Sequence, residues 1–237
     1  MNIVISGASK GLGKAFALQF AATGNTLFLC ARNMQQLNET AAAIKQQFPL
    51  CTIHAKAVDM SNKQEVTEFG NWCLQLGIPD VLINNAGQFV PGSIHNEQDD
   101  ILEKMMAINL YSAYQLTRLF LPAMMDQSTA TGAGRHVFNI CSIASLQAYA
   151  VGSSYSISKF ALLGFSKNLR EEMKPYNIKV TSVIPGATFT DSWAGSGVDE
   201  KRIIQADDVA KMVYAASKLS PQACMEEILL RPQLGDL

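Results

Sequence analysis

Charge is scarce in this chain: acidic and basic residues make up 16% of its 237 residues, and 19 basic groups against 20 acidic ones leave a net charge of −1. With no basic surplus, the electrostatic footprint of a nucleic-acid or anionic-membrane binder is missing. Uninterrupted apolar stretches are short as well. None reaches the ~18 residues that a membrane-spanning helix needs. The amino terminus reads directly as a strand, with no basic leader, so no secretory signal is expected. Cysteines are few, odd in number and scattered: Cys30, Cys51, Cys73, Cys141 and Cys224, with no CxxC pair. That argues against a disulfide framework, and reduced buried thiols in a cytoplasmic protein are expected. His54, His95 and His136 lack ligand spacing, so no metal is expected. Repeats and low-complexity tails are absent.

What is present is a core-building chain, with 48% hydrophobic residues. Strand and helix patterns alternate without a linker, which predicts one doubly wound α/β domain over 1–237. Its parallel sheet would have about seven strands with helices on both faces. Strands are expected at 2–6, 26–31, 52–58, 80–85, 135–141, 177–184 and 226–231. Helices are expected at 11–23, 34–47, 62–76, 98–126, 153–175 and 207–218. Residues 187–205, with Ala194-Gly-Ser-Gly197 inside them, read as a short mobile lid. The long 98–126 helix would start near the acidic Glu97-Gln-Asp-Asp100, and its Met105, Met106, Met124 and Met125 read as packing residues.

The amino-terminal unit carries the first chemistry. An apolar strand ends at Ser6, Gly7-Ala-Ser-Lys-Gly11-Leu-Gly13 follows, and a helix pattern begins. Strand, glycine turn and helix form a dinucleotide-binding geometry. The glycines let the backbone approach a pyrophosphate, and the helix amino terminus faces its charge. The spacing is GxxxGxG rather than GxGxxG. At the end of the second strand, where an acid would favour NAD, stands Arg32, with Lys10 in the glycine loop. Two cations converging there suit a 2′-phosphate, so NADP(H) is expected. Asn84-Asn85-Ala86-Gly87 and Pro185-Gly186 each follow a later strand, where such sheets bind ligands.

Tyr155 and Lys159 stand four residues apart on a helix pattern, with Ser142 thirteen residues before the tyrosine. Positions i and i+4 share a face. An ammonium beside a phenol lowers its pKa from about 10, and an acidified tyrosine can hand a proton to a developing alkoxide.

In order and spacing these motifs resemble a single-domain short-chain dehydrogenase/reductase. The matching residues are Ser6-Gly7-xxx-Gly11-x-Gly13, Asp59, Asn84-Asn85-Ala86-Gly87, Asn109, Ser142, Tyr155-xxx-Lys159, and Pro185-Gly186 followed by Thr190. The resemblance runs from residue 1 to about 231. It implies that Tyr155 is the general acid in reduction and the base in oxidation. Lys159 would tune it and bind the nicotinamide ribose, Ser142 would bond the carbonyl oxygen, and Asn109 would hold a relay water. The cofactor set would be Gly7, Ser9, Lys10, Gly11, Leu12, Gly13, Arg32, Asp59 at the adenine, and Met60. Asn85, Ala86, Gly87, Tyr155, Lys159, Pro185, Gly186, Thr188 and Thr190 would complete it. Ser6 replaces the family's more usual threonine and keeps the hydroxyl.

The substrate pocket is expected at Phe89, Ser142, Gln147, Tyr149 and Trp193, with Val90, Pro91 and Leu146 alongside. No arginine falls among them. Similarity around Leu163-Gly-Phe-Ser-Lys167 points first to a 3-oxoacyl-thioester reductase. Arginines that such reductases use to dock a carrier protein are replaced by Ala133 and Tyr176, with Arg135 as a nearby substitute. Sepiapterin-like and general carbonyl reduction stay open. So does a non-catalytic NADP(H)-binding sensor, which would have no need to keep Asn109, Ser142, Tyr155 and Lys159 together. Relatives also imply a homodimer or homotetramer built on the 98–126 and 153–175 helices.

Overall fold

The computed structural model describes residues 1–193, 195 and 197–236, and only the backbone of Ser192. Seven strands form one parallel sheet. They are β1 (Asn2–Ser6), β2 (Thr26–Ala31), β3 (Thr52–Ala57), β4 (Val81–Asn84), β5 (Arg135–Ile140), β6 (Ile178–Pro185) and, after two short strands given below, β9 (Glu227–Leu230). Their spatial order is β3-β2-β1-β4-β5-β6-β9. The order reverses between β1 and β4, so a crevice opens above the carboxyl ends of those two strands.

Period-two alternation builds a core on each face. Ile3 and Ile5 of β1, Leu27 and Leu29 of β2, and Val81 and Ile83 of β4 point to one side. There they meet Phe16 and Phe20 of α1 (Gly11–Ala21), Leu37 and Ile44 of α2 (Met34–Gln47), and Val209 and Val213 of α7 (Ala206–Ser217). The intervening Val4, Phe28 and Leu82 point the other way. They pack on Val66 and Phe69 of α3 (Lys63–Leu76), Leu116, Phe120 and Met124 of α5 (Ser112–Thr131), and Leu169 and Met173 of α6 (Ser153–Met173). Each such fully buried side chain contributes about 1.5–3 kcal/mol.

The expected 98–126 helix differs in structure. Asp100 is its N-cap, α4 covers Ile101–Met106, a π-helical turn covers Ala107–Tyr111, and α5 continues to Thr131. A π turn inserts a residue into the helical ladder and commonly marks a functional position. Met105 and Met124 are fully buried, in keeping with their reading as packing residues. Within 187–205, β7 (Thr188–Phe189) and β8 (Ile204–Gln205) pair in parallel. Ala194 and Ser196 of the expected mobile stretch lie outside the described residues.

Candidate active site

Glycines shape the cofactor end of the crevice. Gly7, at φ +67, turns the chain out of β1. A Cβ on Gly13 would stand 2.1 Å from the Gly7 carbonyl oxygen, so this glycine answers to the packing of α1 against the turn. A Cβ on Gly11 would come 3.3 Å from the Thr190 side chain, which places Thr190 over the loop. The Ser6 hydroxyl accepts from the Asn85 and Ala86 amides, each at 3.0 Å. In return, Asn85 Nδ2 donates to the carbonyls of Ser6 at 2.9 Å and Gly7 at 3.0 Å. The loops after β1 and β4 are thereby fastened together. Thr40 of α2 holds the same loop through the Ser9 carbonyl at 2.8 Å.

These residues fit an anionic dinucleotide. Lys10, the N-cap of α1, makes no side-chain capping bond, and the first turn carries no acid. The amino end of α1 therefore keeps its positive dipole and outward N–H groups for a ligand. Lys10 and Arg32 are both exposed. Beside Lys10 a cavity of about 300 Å³ is lined by Ser9, Lys14, Glu39 and Asp191 among others. It lies along the outer side of the glycine loop and is not where Tyr155 stands. Burial works to raise the Asp59 pKa. The Ser61 hydroxyl at 2.7 Å, the Ser61 amide at 2.9 Å and the Arg32 charge outweigh it and hold the carboxyl below its ordinary value. Met60 sends its side chain inward, where its sulfur meets Cys30 Sγ at 3.7 Å. Leu12 packs against the α1 core. Pro185 ends β6, the Gly186 amide donates to the Leu230 carbonyl at 2.7 Å, and Thr188 Oγ1 donates to the Gly186 carbonyl at 2.9 Å.

Tyr155, Lys159 and Ser142 come together above β5. Ser142 caps a 3-10 turn, Ile143–Ser145, and its Oγ accepts from the Ala144 amide at 3.2 Å. The Ser142 side chain is also near enough to the Tyr155 phenol to act on its titration. Tyr155 is the third residue of α6, and Lys159 Nζ lies 5.8 Å from its ring centroid. The Lys159 ammonium is buried and donates to the Ile140 carbonyl at 2.8 Å. Burial lowers its pKa to about 8. The expected acidified phenol is corrected here. Burial raises the Tyr155 pKa to about 12, and the nearby Ser142 side chain opposes it without prevailing. The residue keeps some exposure, but desolvation of its hydroxyl governs the titration. The ammonium's hydrogen bond goes to the Ile140 carbonyl rather than to the phenol.

Asn109 lies in the π turn and is buried. Its Oδ1 accepts from the Gln88 amide at 2.8 Å, and its Nδ2 donates to the Gln88 carbonyl at 3.0 Å and to Ser158 Oγ at 2.9 Å. Ser158 in turn donates to the Tyr155 carbonyl at 2.7 Å. The side chain thus pins the loop after β4 to the Tyr155 helix. A Cβ on Gly87 would stand 3.2 Å from Asn109 Oδ1 and 3.5 Å from Lys159 Nζ, so Gly87 lets these groups meet.

On the substrate side, Phe89 meets the Tyr155 ring edge-on at 5.0 Å, and Tyr149 is close enough to raise the Tyr155 pKa further. Both are exposed. Trp193 is half-buried in a 3-10 turn. Gln147 is exposed, and its amide reaches Asp236 at 3.4 Å. Arg135 is corrected: it is only 5% exposed and holds the Pro79 carbonyl at 2.6 Å and Asp80 at 2.8 Å. It is not a surface docking cation. Sequence reasoning also missed Glu97. Its carboxylate accepts from Ser153 Oγ at 2.8 Å and from the amide and hydroxyl of Ser154, at the start of the Tyr155 helix. Those partners lie more than fifty residues ahead, so no local pattern announces them.

The family model described as short chain dehydrogenase matches residues 1–201. A sepiapterin reductase of Chlorobaculum tepidum is 30% identical over 245 residues, covering 99% of this chain and 97% of its own. An alcohol dehydrogenase from the archaeon Thermococcus sibiricus, complexed with 5-hydroxy-NADP, superposes with a TM-score of 0.88 at 25% identity, covering 98% of this chain and 96% of that one. A metagenomic short-chain oxidoreductase in complex with NADP gives 0.84 at 28% identity, with 98% and 97% covered. With the glycine loop, the parallel sheet and the Ser142–Tyr155–Lys159 cluster in place, the chain belongs to the short-chain dehydrogenase family of oxidoreductases.

Proposed function

We propose that this protein reduces a ketone or aldehyde carbonyl to an alcohol with NADPH, with Tyr155 as the general acid. The observation that carries this reading is the convergence of the Tyr155 phenol, the Ser142 side chain that acts to lower its pKa, and the buried Lys159 ammonium 5.8 Å from the Tyr155 ring. Two neighbouring hydroxyls can both bond a single carbonyl oxygen. Bound with its pyrophosphate at the amino end of α1, NADPH would supply the hydride. Tyr155 would give its proton to the oxygen as charge develops, and Ser142 would donate to the same oxygen. A phenol held protonated by burial is in the form that a general acid needs. Lys159 would keep a positive charge near the developing phenolate, since its pKa of about 8 leaves it mostly protonated at neutral pH. Asn109 would fix the distance between the loop after β4 and the Tyr155 helix. Exposed Lys10 and Arg32 support the 2′-phosphorylated cofactor, as do the NADP-type ligands in two similar structures.

Phe89 and Tyr149 give the pocket aromatic walls near the phenol. A free ketone fits better than a carrier-bound thioester, because Arg135 is buried. The outer faces of the α4–α5 run and α6 support self-association. Tyr111, Tyr114, Ile157 and Phe160 are each about half exposed, and Tyr114 packs on Phe165 across the two helices. A second copy of the chain would cover them. Light scattering should then give at least a dimer, and Phe160→Glu should shift it to monomer.

NADPH oxidation against a panel of ketones, pterins and acyl thioesters tests the activity. Wild type should turn over at least one free carbonyl compound. Tyr155→Phe should lose about 10²–10⁴ in kcat while NADPH binding stays intact. Binding of NADPH with no turnover across the panel would turn the reading towards a sensor.

A further inference from the structure

The chain does not stop at the edge strand β9; it returns to the crevice. After Leu230 it makes a turn closed by the Gly235 amide on the Pro232 carbonyl at 2.9 Å, with Gly235 at φ +84. Two sets of contacts fasten this turn. On one side Arg202, at the far end of the 187–205 segment, spreads its guanidinium over three consecutive carbonyls. Nη1 reaches Gly235 at 2.9 Å, and Nη2 reaches Leu234 and Asp236, each at 3.3 Å. On the other side the Asp236 carboxylate pairs with Arg231 and accepts from Gln147 Nε2 at 3.4 Å. A Cβ on Gly186 would come within 3.0 Å of both Asp236 Oδ1 and Pro232 Cδ, so the turn sits directly on the loop after β6.

The turn thus touches three separate loops: the one that follows Ser142 and carries Gln147, the one after β6, and the segment that carries Thr190 and Trp193. Next to Arg202, the Ile204 amide donates to the Ala187 carbonyl at 2.9 Å, which ties both ends of that segment together. A planar guanidinium suits this task. Its donors diverge in one fixed fork, whereas an ammonium on a flexible stem would satisfy one carbonyl at a time.

We propose that the C-terminal turn 232–236 is a latch, with Arg202 and Asp236 as positioning residues. They hold the 187–205 segment and the Gln147 loop as fixed walls of the carbonyl site. Neither residue touches the reacting atoms; they act through Gln147, Gly186 and the segment carrying Trp193. The claim about the carbonyl site rests on the reductase reading above. The mechanical claim does not.

Arg202→Gln, Arg202→Lys and Asp236→Asn test it with two readouts. Hydrogen exchange should speed up about tenfold at the Ile204 amide in Arg202→Gln and Asp236→Asn, with α1 unchanged. In steady-state kinetics both variants should raise KM for the carbonyl compound about five- to tenfold, with kcat changed less than about twofold. Arg202→Lys should fall between wild type and Arg202→Gln. The double variant should be little worse than the worse single one, because both cut the same latch. Unchanged exchange at Ile204 in Arg202→Gln and Asp236→Asn overturns the latch whatever the kinetics show. Faster exchange with an unchanged KM overturns its role in the carbonyl site. If wild type turns over no carbonyl at all, the reductase reading fails, and exchange at Ile204 still decides the latch.

Discussion

Both ends of the sheet bury a lysine, yet the two ammonium groups differ in how many carbonyls they hold. At the amino end, Lys179 is 8% exposed and donates to two carbonyls, Leu219 at 2.9 Å and Ser220 at 2.6 Å. At the carboxyl end, Lys159 is 4% exposed and donates to a single carbonyl, that of Ile140. An ammonium has three donors. Burial without full internal pairing is costly, and it persists where a ligand completes the set. A buried lysine by itself therefore does not mark a site; the donors left over do.

Removing each lysine breaks the comparison most sharply. Lys159→Met should lower kcat/KM by about 10²–10⁴ while stability holds or rises, because a poorly satisfied buried charge disappears. Lys179→Met should leave turnover near wild type and cost about 1–3 kcal/mol of unfolding free energy, because the Leu219 and Ser220 carbonyls lose their donor. Parallel kinetics and urea melts would show it. Loss of activity in both variants, or of stability in both, would erase the distinction. A smaller effect is expected at the cofactor's phosphate end. Arg32→Asp should weaken NADPH binding by about 10²-fold and leave NADH binding nearly unchanged. A wild type that already prefers NADH would refute the 2′-phosphate argument.

The same contrast explains what was legible in the sequence. The strands, their order of use and the glycine loop could be read because their signals are local. Two-residue alternation gives both faces of β1, and Gly7 and Gly13 answer to backbone packing a few residues away. Tyr155 and Lys159 are one helical turn apart, and Ser142 sits just after a strand. The π turn at Ala107–Tyr111 could not be read, because its composition is that of an ordinary helix and only tertiary packing of Asn109 on Gln88 and Ser158 reveals it. The direction of the Tyr155 pKa was misjudged for a related reason. Spacing brings Lys159 to the right face but says nothing of the burial that desolvates the phenol, nor of the Ile140 carbonyl that one ammonium donor meets. Glu97, Arg202 and Asp236 were missed because each acts on residues far along the chain, across loops whose paths no periodicity determines.

His136 offers the finest probe of the amino end, which is the half of the comparison that should have no chemistry. Its Nε2 lies 2.7 Å from Thr181 Oγ1, and that hydroxyl lies 2.5 Å from the Met225 carbonyl. A hydroxyl has one proton. Thr181 gives it to Met225, so His136 must donate from Nε2, and its ring is neutral with Nδ1 bare. The ring also stacks on Phe138 at 3.8 Å. Burial lowers its pKa from 6.5 to about 3, and the Lys179 and Arg170 charges push the same way. The unfolded chain protonates this imidazole below about pH 6.5, while the native protein stays neutral down to about pH 3. Across that window the unfolded state binds more protons, so stability falls as pH falls. Between pH 7 and pH 5 this group alone should remove about 2 kcal/mol. His136→Gln can still donate to Thr181 but cannot take up a proton. Urea midpoints at the two pH values should therefore lie closer together in the variant than in wild type, by about that amount. Turnover at pH 7 should be the same in both. An equal pH dependence in the two proteins would mean that the imidazole takes up its proton in the fold at the same pH as in the unfolded chain, and the amino end would then hold a titrating group of its own.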